Sequence, residues 1–167
     1  MLINTDTSPS AIKTIITAGL LVGSLDILAA FADYYIETGK GPEGVLRFIA
    51  SGVFGKTAFT DNSIIMCIGL LFHFIIAFAF TTFFFILYPS VKLLHINILL
   101  SAAIIGVFIW IIMTLIIVPL SNTPKMHFQL SNAIKAVLIL ICMIGLPLSM
   151  IFKKGYRTFY KAKSHLV

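Results

Sequence analysis

The chain has 167 residues, of which 59% are hydrophobic and only 11% charged, and its mean hydropathy is +1.06. That composition excludes an ordinary water-soluble domain, which needs a polar side on each helix, and marks a membrane protein. The net charge of +6 does not point to nucleic acid, because five of the twelve basic residues, Lys153, Lys154, Arg157, Lys161 and Lys163, crowd behind the last apolar run.

The first apolar stretch, Ile12 to Phe31, carries Asp26 near its middle. An ionised carboxylate at that depth is costly unless water, a proton or a partner meets it. The stretch is too long for a secretory signal and no small-residue cleavage pattern follows it, so residues 12–35 are expected to form a mature span. Gly19, Gly23, Asp26, Ala30, Asp33 and Glu37 recur at spacings of three and four and share one helical face. Its inner half is small enough for close helix packing and its outer half is acidic.

Gly39-Lys40-Gly41-Pro42 stops this helix and offers proline to the start of another. Over 42–55, Val45, Phe48, Ile49 and Gly52 fall on one face, with Arg47, Ser51 and Gly55 on the other. The pattern fits a short amphipathic helix at the outer interface or folded back on the bundle, with a re-entrant hairpin as the alternative. Gly52 and Gly55 are expected to serve packing. Four of the six acidic residues, Asp33, Glu37, Glu43 and Asp61, gather in this first connection, where Arg47 and Lys56 are available to neutralise them.

No Lys, Arg, Asp or Glu occurs for 30 residues after Asp61, nor for 32 residues after Lys92. Each interval is long enough for one crossing, and the spans are expected at 63–88 and 96–118. Gly69, His73, Ala77 and Thr81 follow one another at four-residue spacing on the second span, with Gly69 and Ala77 as packing positions. If the first two spans are antiparallel, Asp26 lies about 14 Å and His73 about 15 Å from the outer end, at about 1.5 Å per residue. They are the candidate proton or polar-network pair, with Asp33, Glu37 and Thr81 along the same stripes. The structural alternative is a neutral Asp26 or a fixed hydrogen bond joining two helices. The many phenylalanines of the second span and Trp110 on the third are read as packing and lipid contact, and Tyr34, Tyr35, Tyr88, Tyr156 and Tyr160 as interface residues.

Pro89 to His95 reads as a short turn. Ser121-Asn122-Thr123-Pro124 is expected to supply a turn and then a helix start, with Thr123 as the cap. The fourth span, 133–152, is expected to kink at Gly145-Leu146-Pro147. Lys125, His127 and Lys135 sit near its outer end. An even number of spans puts both termini on one side, and the basic tail places that side in the cytoplasm. The expected fold is therefore all-α, a single transmembrane domain over 1–167 built as a four-helix bundle with one short extra helix.

Several chemistries lack their residues. There is no phosphate-binding glycine loop, no GxSxG elbow, no CxxC pair and no HExxH, and His73, His95, His127 and His165 are widely separated. Cys67 and Cys142 both fall within spans and read as small buried apolar fillers. No catalytic residue, metal or cofactor is implied.

The strings GLLVGSLDILAAFADY, RFIASGVFGKTAF and GLLFHFIIAFAFTTFFFILYP resemble a family of small uncharacterised bacterial integral membrane proteins with four spans. The resemblance covers residues 19–89. It implies a bacterial inner-membrane location and draws attention to Asp26, Gly52, Gly55 and His73, but implies no activity.

Function is thus expected in one of three classes. The first is a proton-coupled carrier or channel component for a small solute, centred on Asp26 and His73. The second is a non-enzymatic scaffold or accessory subunit. The third is a lipid-modifying membrane enzyme. The expected partners are the lipid bilayer and either further copies of the chain or a larger membrane protein; nucleic acid is not expected.

Overall fold

The structure, a computed structural model, describes residues 9–60, 62–124 and 128–164, all of them helical or connecting segments. Asp61, Lys125, His127 and His165, named above as candidate charges or ligands, lie outside the described residues.

Helix α1 (Pro9–Thr38) ends where Gly39 takes a φ of 67°, a left-handed conformation that favours glycine. The Gly39 N–H still reaches back to the Tyr35 carbonyl at 2.8 Å. Helix α2 (Glu43–Phe54) follows Pro42, and a short 3-10 turn, Gly55–Phe59, leads out of it. Asn62 then opens α3 (Ser63–Leu87) by accepting the Ile64 N–H at 2.9 Å. Asn97 does the same for Leu99 at 2.8 Å, starting α5 (Ile98–Ile112) just after the one-turn helix α4 (Leu93–Ile96). Both asparagines satisfy amide donors that the first helical turn leaves without internal partners. The turn expected at 89–95 therefore contains a helical turn of its own.

The third span continues from α5 through a π-helical turn, Met113–Ile117, into α6 (Val118–Leu120). The fourth runs from α7 (Leu130–Leu140) through a second π-helical turn, Ile141–Gly145, into α8 (Leu146–Ser164). Each π turn comes just before a proline, Pro119 or Pro147. Proline has no N–H to offer the preceding turn, and the widened turn shifts the register of the ladder around the missing donor. The expected distortion at Pro147 takes this form, and the helix carries on through it. The helix start expected at Thr123 and Pro124 is corrected: α7 begins at Leu130. Ser121 to Thr123 is held instead by its own hydroxyls, with Ser121 and Thr123 side chains 2.6 Å apart.

Among the described residues four helices are long and apolar enough to cross a membrane: Ala11–Thr38, Ser63–Leu87, Ile98–Leu120 and Leu130–Gly155. The chain is a multi-pass all-α membrane protein with an additional short helix between spans one and two. Large apolar side chains such as Ile64, Leu71, Ile75, Leu99, Leu115, Ile134 and Leu138 point outward, which suits hydrocarbon.

Inside a bilayer, apolar side chains gain little by leaving lipid, so helices are held by close packing. Three crossings show this. A Cβ on Gly69 of α3 would run into the Leu46 carbonyl of α2, and one on Gly145 into the Ala102 carbonyl of the third span. At Gly106 it would lie 2.8 Å from the Ile141 nitrogen. Alongside the last two crossings, Ser149 donates to Ser101 at 2.9 Å, both fully buried. Below them, Val22, Phe84, Tyr88, Leu94, Ile105, Leu148 and Phe152 form the main apolar core.

Candidate functional site

Helices α1 and α3 meet along the small-residue stripe of α1. A Cβ on Gly19 would fall 2.5 Å from the Phe78 ring, and one on Gly23 would fall 2.9 Å from Phe74 and 3.2 Å from the Ala77 methyl. This close seam brings His73 against α1, and its Nε2 lies 2.8 Å from the Gly23 carbonyl oxygen. A carbonyl only accepts, so Nε2 carries the hydrogen in this bond. Phe74 stands edge-on to the imidazole at 5.5 Å between ring centres, restricting its rotation.

Asp26 lies one turn beyond Gly23 on α1, partly buried and within electrostatic reach of the His73 ring. Among the described residues no hydrogen bond joins the two side chains, and none reaches the Asp26 carboxyl. The donor that the depth argument matched with Asp26 is spent on the backbone one turn away. Asp26 sits 12 residues before Thr38, about 18 Å along the helix, and so lies well inside the span.

The remaining candidates separate from this pair. Thr81 is fully buried, but its hydroxyl donates to Ala77 of its own helix at 2.8 Å, the usual way a helical threonine satisfies itself in an apolar setting. Asp33 and Glu37 both reach Lys135 at the start of the fourth span, Asp33 at 2.8 Å. Their described counter-ion is thus neither Arg47 nor Lys56. Sequence separation hid it: Lys135 and Glu37 are 98 residues apart. Gly69 packs on Leu46 of α2, whereas His73 and Ala77 of that α3 stripe lie against Gly23 of α1.

Helix α2 lies folded against the bundle. Tyr34 of α1 closes on Gly44 at its start, Leu46 covers Gly69, and the Phe54 ring stacks on Phe72 at 6.5 Å. Its far end is latched by Asn122, whose backbone N–H donates to the Gly52 carbonyl and whose side-chain amide donates to Val53, both at 3.0 Å. These are carbonyls that a helix end leaves without internal donors. Gly55, with φ 58°, passes beside Asn122. The short helix therefore ties α1, α3 and the end of the third span together one turn from His73.

Sequence reasoning missed Asn122, Lys135 as the counter-ion, and the pair Ser101 and Ser149. Small residues inside apolar runs were the available signal for the last of these, since Ser101, Ala102 and Gly106 interrupt the third span as Gly145 and Ser149 interrupt the fourth. The expectation that Cys67 and Cys142 are buried is corrected: both are exposed on the apolar surface of their spans. Among the described residues no three His, Cys, Asp or Glu side chains gather closely enough to hold a metal ion. Comparison of the chain with protein families, curated proteins and solved structures returned no match.

Proposed function

We propose that this protein is the proton-responsive component of a membrane carrier or channel for a small solute, with Asp26 and His73 handling the proton. One observation carries this reading: a carboxyl well inside a span, to which no described residue donates a hydrogen bond, lies within electrostatic reach of an imidazole whose Nε2 is anchored on Gly23. Ionisable groups at such depth are costly to keep without a use. A change of charge on either one alters the electrostatics at the seam where α1 and α3 pack, giving protonation a direct mechanical readout. Four helices enclose little room, so a complete pathway calls for further copies or a larger membrane partner. The basic residues behind the last span support a cytoplasmic C-terminus, and with four spans a cytoplasmic N-terminus too. The resemblance over residues 19–89 supports a bacterial inner membrane.

The test is proton flux into vesicles containing the full-length chain and an entrapped pH-sensitive dye, driven by a potassium diffusion potential. The reading expects flux above that of empty vesicles, lost in Asp26→Asn and in His73→Leu. Equal flux in the wild type and both variants would remove it. A scaffold or accessory subunit is the second reading, supported by the fixed bond from His73 to Gly23 and by the latch of α2. It expects no flux and a partner that co-purifies equally with the wild type and the Asp26 variant.

A further inference from the structure

One backbone carbonyl of the fourth span is left without a helical donor. In the widened turn Ile141–Gly145 the Leu146 N–H bonds to the Ile141 carbonyl, not to that of Cys142. The next residue, Pro147, has no N–H to give. The Cys142 oxygen therefore lacks both of the amides that could reach it, inside a span where water is scarce and an unpaired carbonyl is costly. Helix α1 packs on this turn, and the register between the two can be read from either side. Lys135 meets Asp33 at 2.8 Å; two turns deeper on each helix, about 10.5 Å, come Cys142 and Asp26. From the other side, Val22 and Leu148 share the buried core, and one turn beyond each stand Asp26 and Ile144. Both alignments put Asp26 level with the turn Ile141–Gly145. Asp26 also follows Val22 by four residues and Gly23 by three, between the face of α1 turned to the fourth span and the face turned to α3.

We propose that protonated Asp26 donates a hydrogen bond to the Cys142 carbonyl, with Pro147 as the positioning residue that keeps this acceptor open. The inference deepens the proton reading of Asp26 and rests on it. A neutral carboxyl brings one O–H and needs one acceptor, and the carbonyl offers lone pairs that no helix amide uses. Once ionised, Asp26 presents only oxygen to oxygen, so losing the proton breaks the bond and loosens α1 from the fourth span while His73 stays fixed to Gly23. The elements packed against α1 carry Glu43 and Arg47 on α2, His73 on α3, and Lys135, Lys153 and Lys154 on the fourth span. Among these described groups His73 is the one within electrostatic reach of Asp26.

The chain has two cysteines, so cysteine carrying a heavy carbon isotope at its carbonyl, supplied to a full-length Cys67→Ser chain, labels the Cys142 carbonyl alone. Its amide band is read by infrared spectroscopy in lipid bilayers. In Asp26→Asn, which keeps a donor, the band is expected at lower wavenumber than in Asp26→Leu, which has none; Asp26→Ala serves as the donor-free reference if the leucine chain fails to fold. With Asp26 in place, the band should match Asp26→Asn at low pH and move towards Asp26→Leu as pH rises. Pro147→Ala returns an N–H to the helix and should make the band insensitive to the residue at position 26, whereas Pro119→Ala, the same change beside the widened turn of the third span, should leave the response intact. Equal bands in Asp26→Asn and the donor-free variant overturn the inference, as does a response that survives Pro147→Ala. With Asp26 in place, a band that holds the Asp26→Asn position at every pH supports the bond and overturns proton exchange alone. A band that holds the donor-free position at every pH overturns both.

Discussion

His73 donates from Nε2 to the carbonyl oxygen of Gly23 at 2.8 Å, linking the middle of α3 to the middle of α1 across 50 residues of sequence. The bond exists because Gly23 has no side chain: Phe74 and Ala77 already occupy the space a Cβ would need. Replacing His73 by Leu should cost about 1 kcal/mol of bundle stability, the usual size of an interhelical hydrogen bond in lipid. His73→Gln, which keeps an N–H of similar reach, should recover most of that stability but none of the pH response. Thermal unfolding in detergent together with proton flux separates the two effects.

Gly69 and Gly145 each face a carbonyl of the neighbouring segment, whereas nothing lies within 4 Å of the place a Cβ would take on Gly155. Alanine at either of the first two positions must push backbone apart, at a cost of about 1–3 kcal/mol. Alanine at Gly155 should be neutral or stabilising by up to ~1 kcal/mol, because it improves helix propensity without a clash. Melting temperatures of the three variants give the comparison.

The ion pairs of Lys135 with Asp33 and Glu37 are more than a third exposed on the lysine side. Lys135→Gln is therefore expected to cost no more than about 1 kcal/mol, and less as salt rises. A double-mutant cycle with Asp33→Asn at low and high salt measures the coupling. A coupling that persists at high salt would show the pair to be shielded from solvent.

Asn122→Ala removes the side-chain bond to Val53 but leaves the backbone bond to Gly52. The expected loss is about 0.5–1.5 kcal/mol, confined to α2 and the segment after it. Hydrogen exchange should quicken at Gly52 to Phe59 and stay unchanged in the centres of α1 and α3. Uniform quickening would mean that α2 is integral to the whole bundle.

The spans were legible because membrane crossing depends on length and the absence of charge, both of which sequence states directly. The long charge-free intervals placed α3 and the third span closely. The face of α1 was legible too, since Gly19, Gly23 and Asp26 obey helical spacing, and depth alone matched Asp26 with His73. Depth could not say which atom His73 would choose, and the nearby Gly23 carbonyl took the donor. Lys135, Asn122 and the Ser101 to Ser149 bond were illegible for a related reason. Each joins segments 48 to 98 residues apart, and helical periodicity describes a face without naming its neighbour. Thr123 was read as a cap from local preference, which the hydroxyl contact with Ser121 and the latch of Asn122 onto α2 overrode.

The central claim is that Asp26 exchanges a proton within the membrane, and infrared difference spectroscopy of the full-length chain in lipid bilayers tests it most directly. As pH is stepped, the account predicts a protonated-carboxyl band that appears and disappears reversibly, is absent in Asp26→Asn, and shifts in His73→Gln. A spectrum of the wild type in which no carboxyl band attributable to Asp26 changes with pH would contradict it.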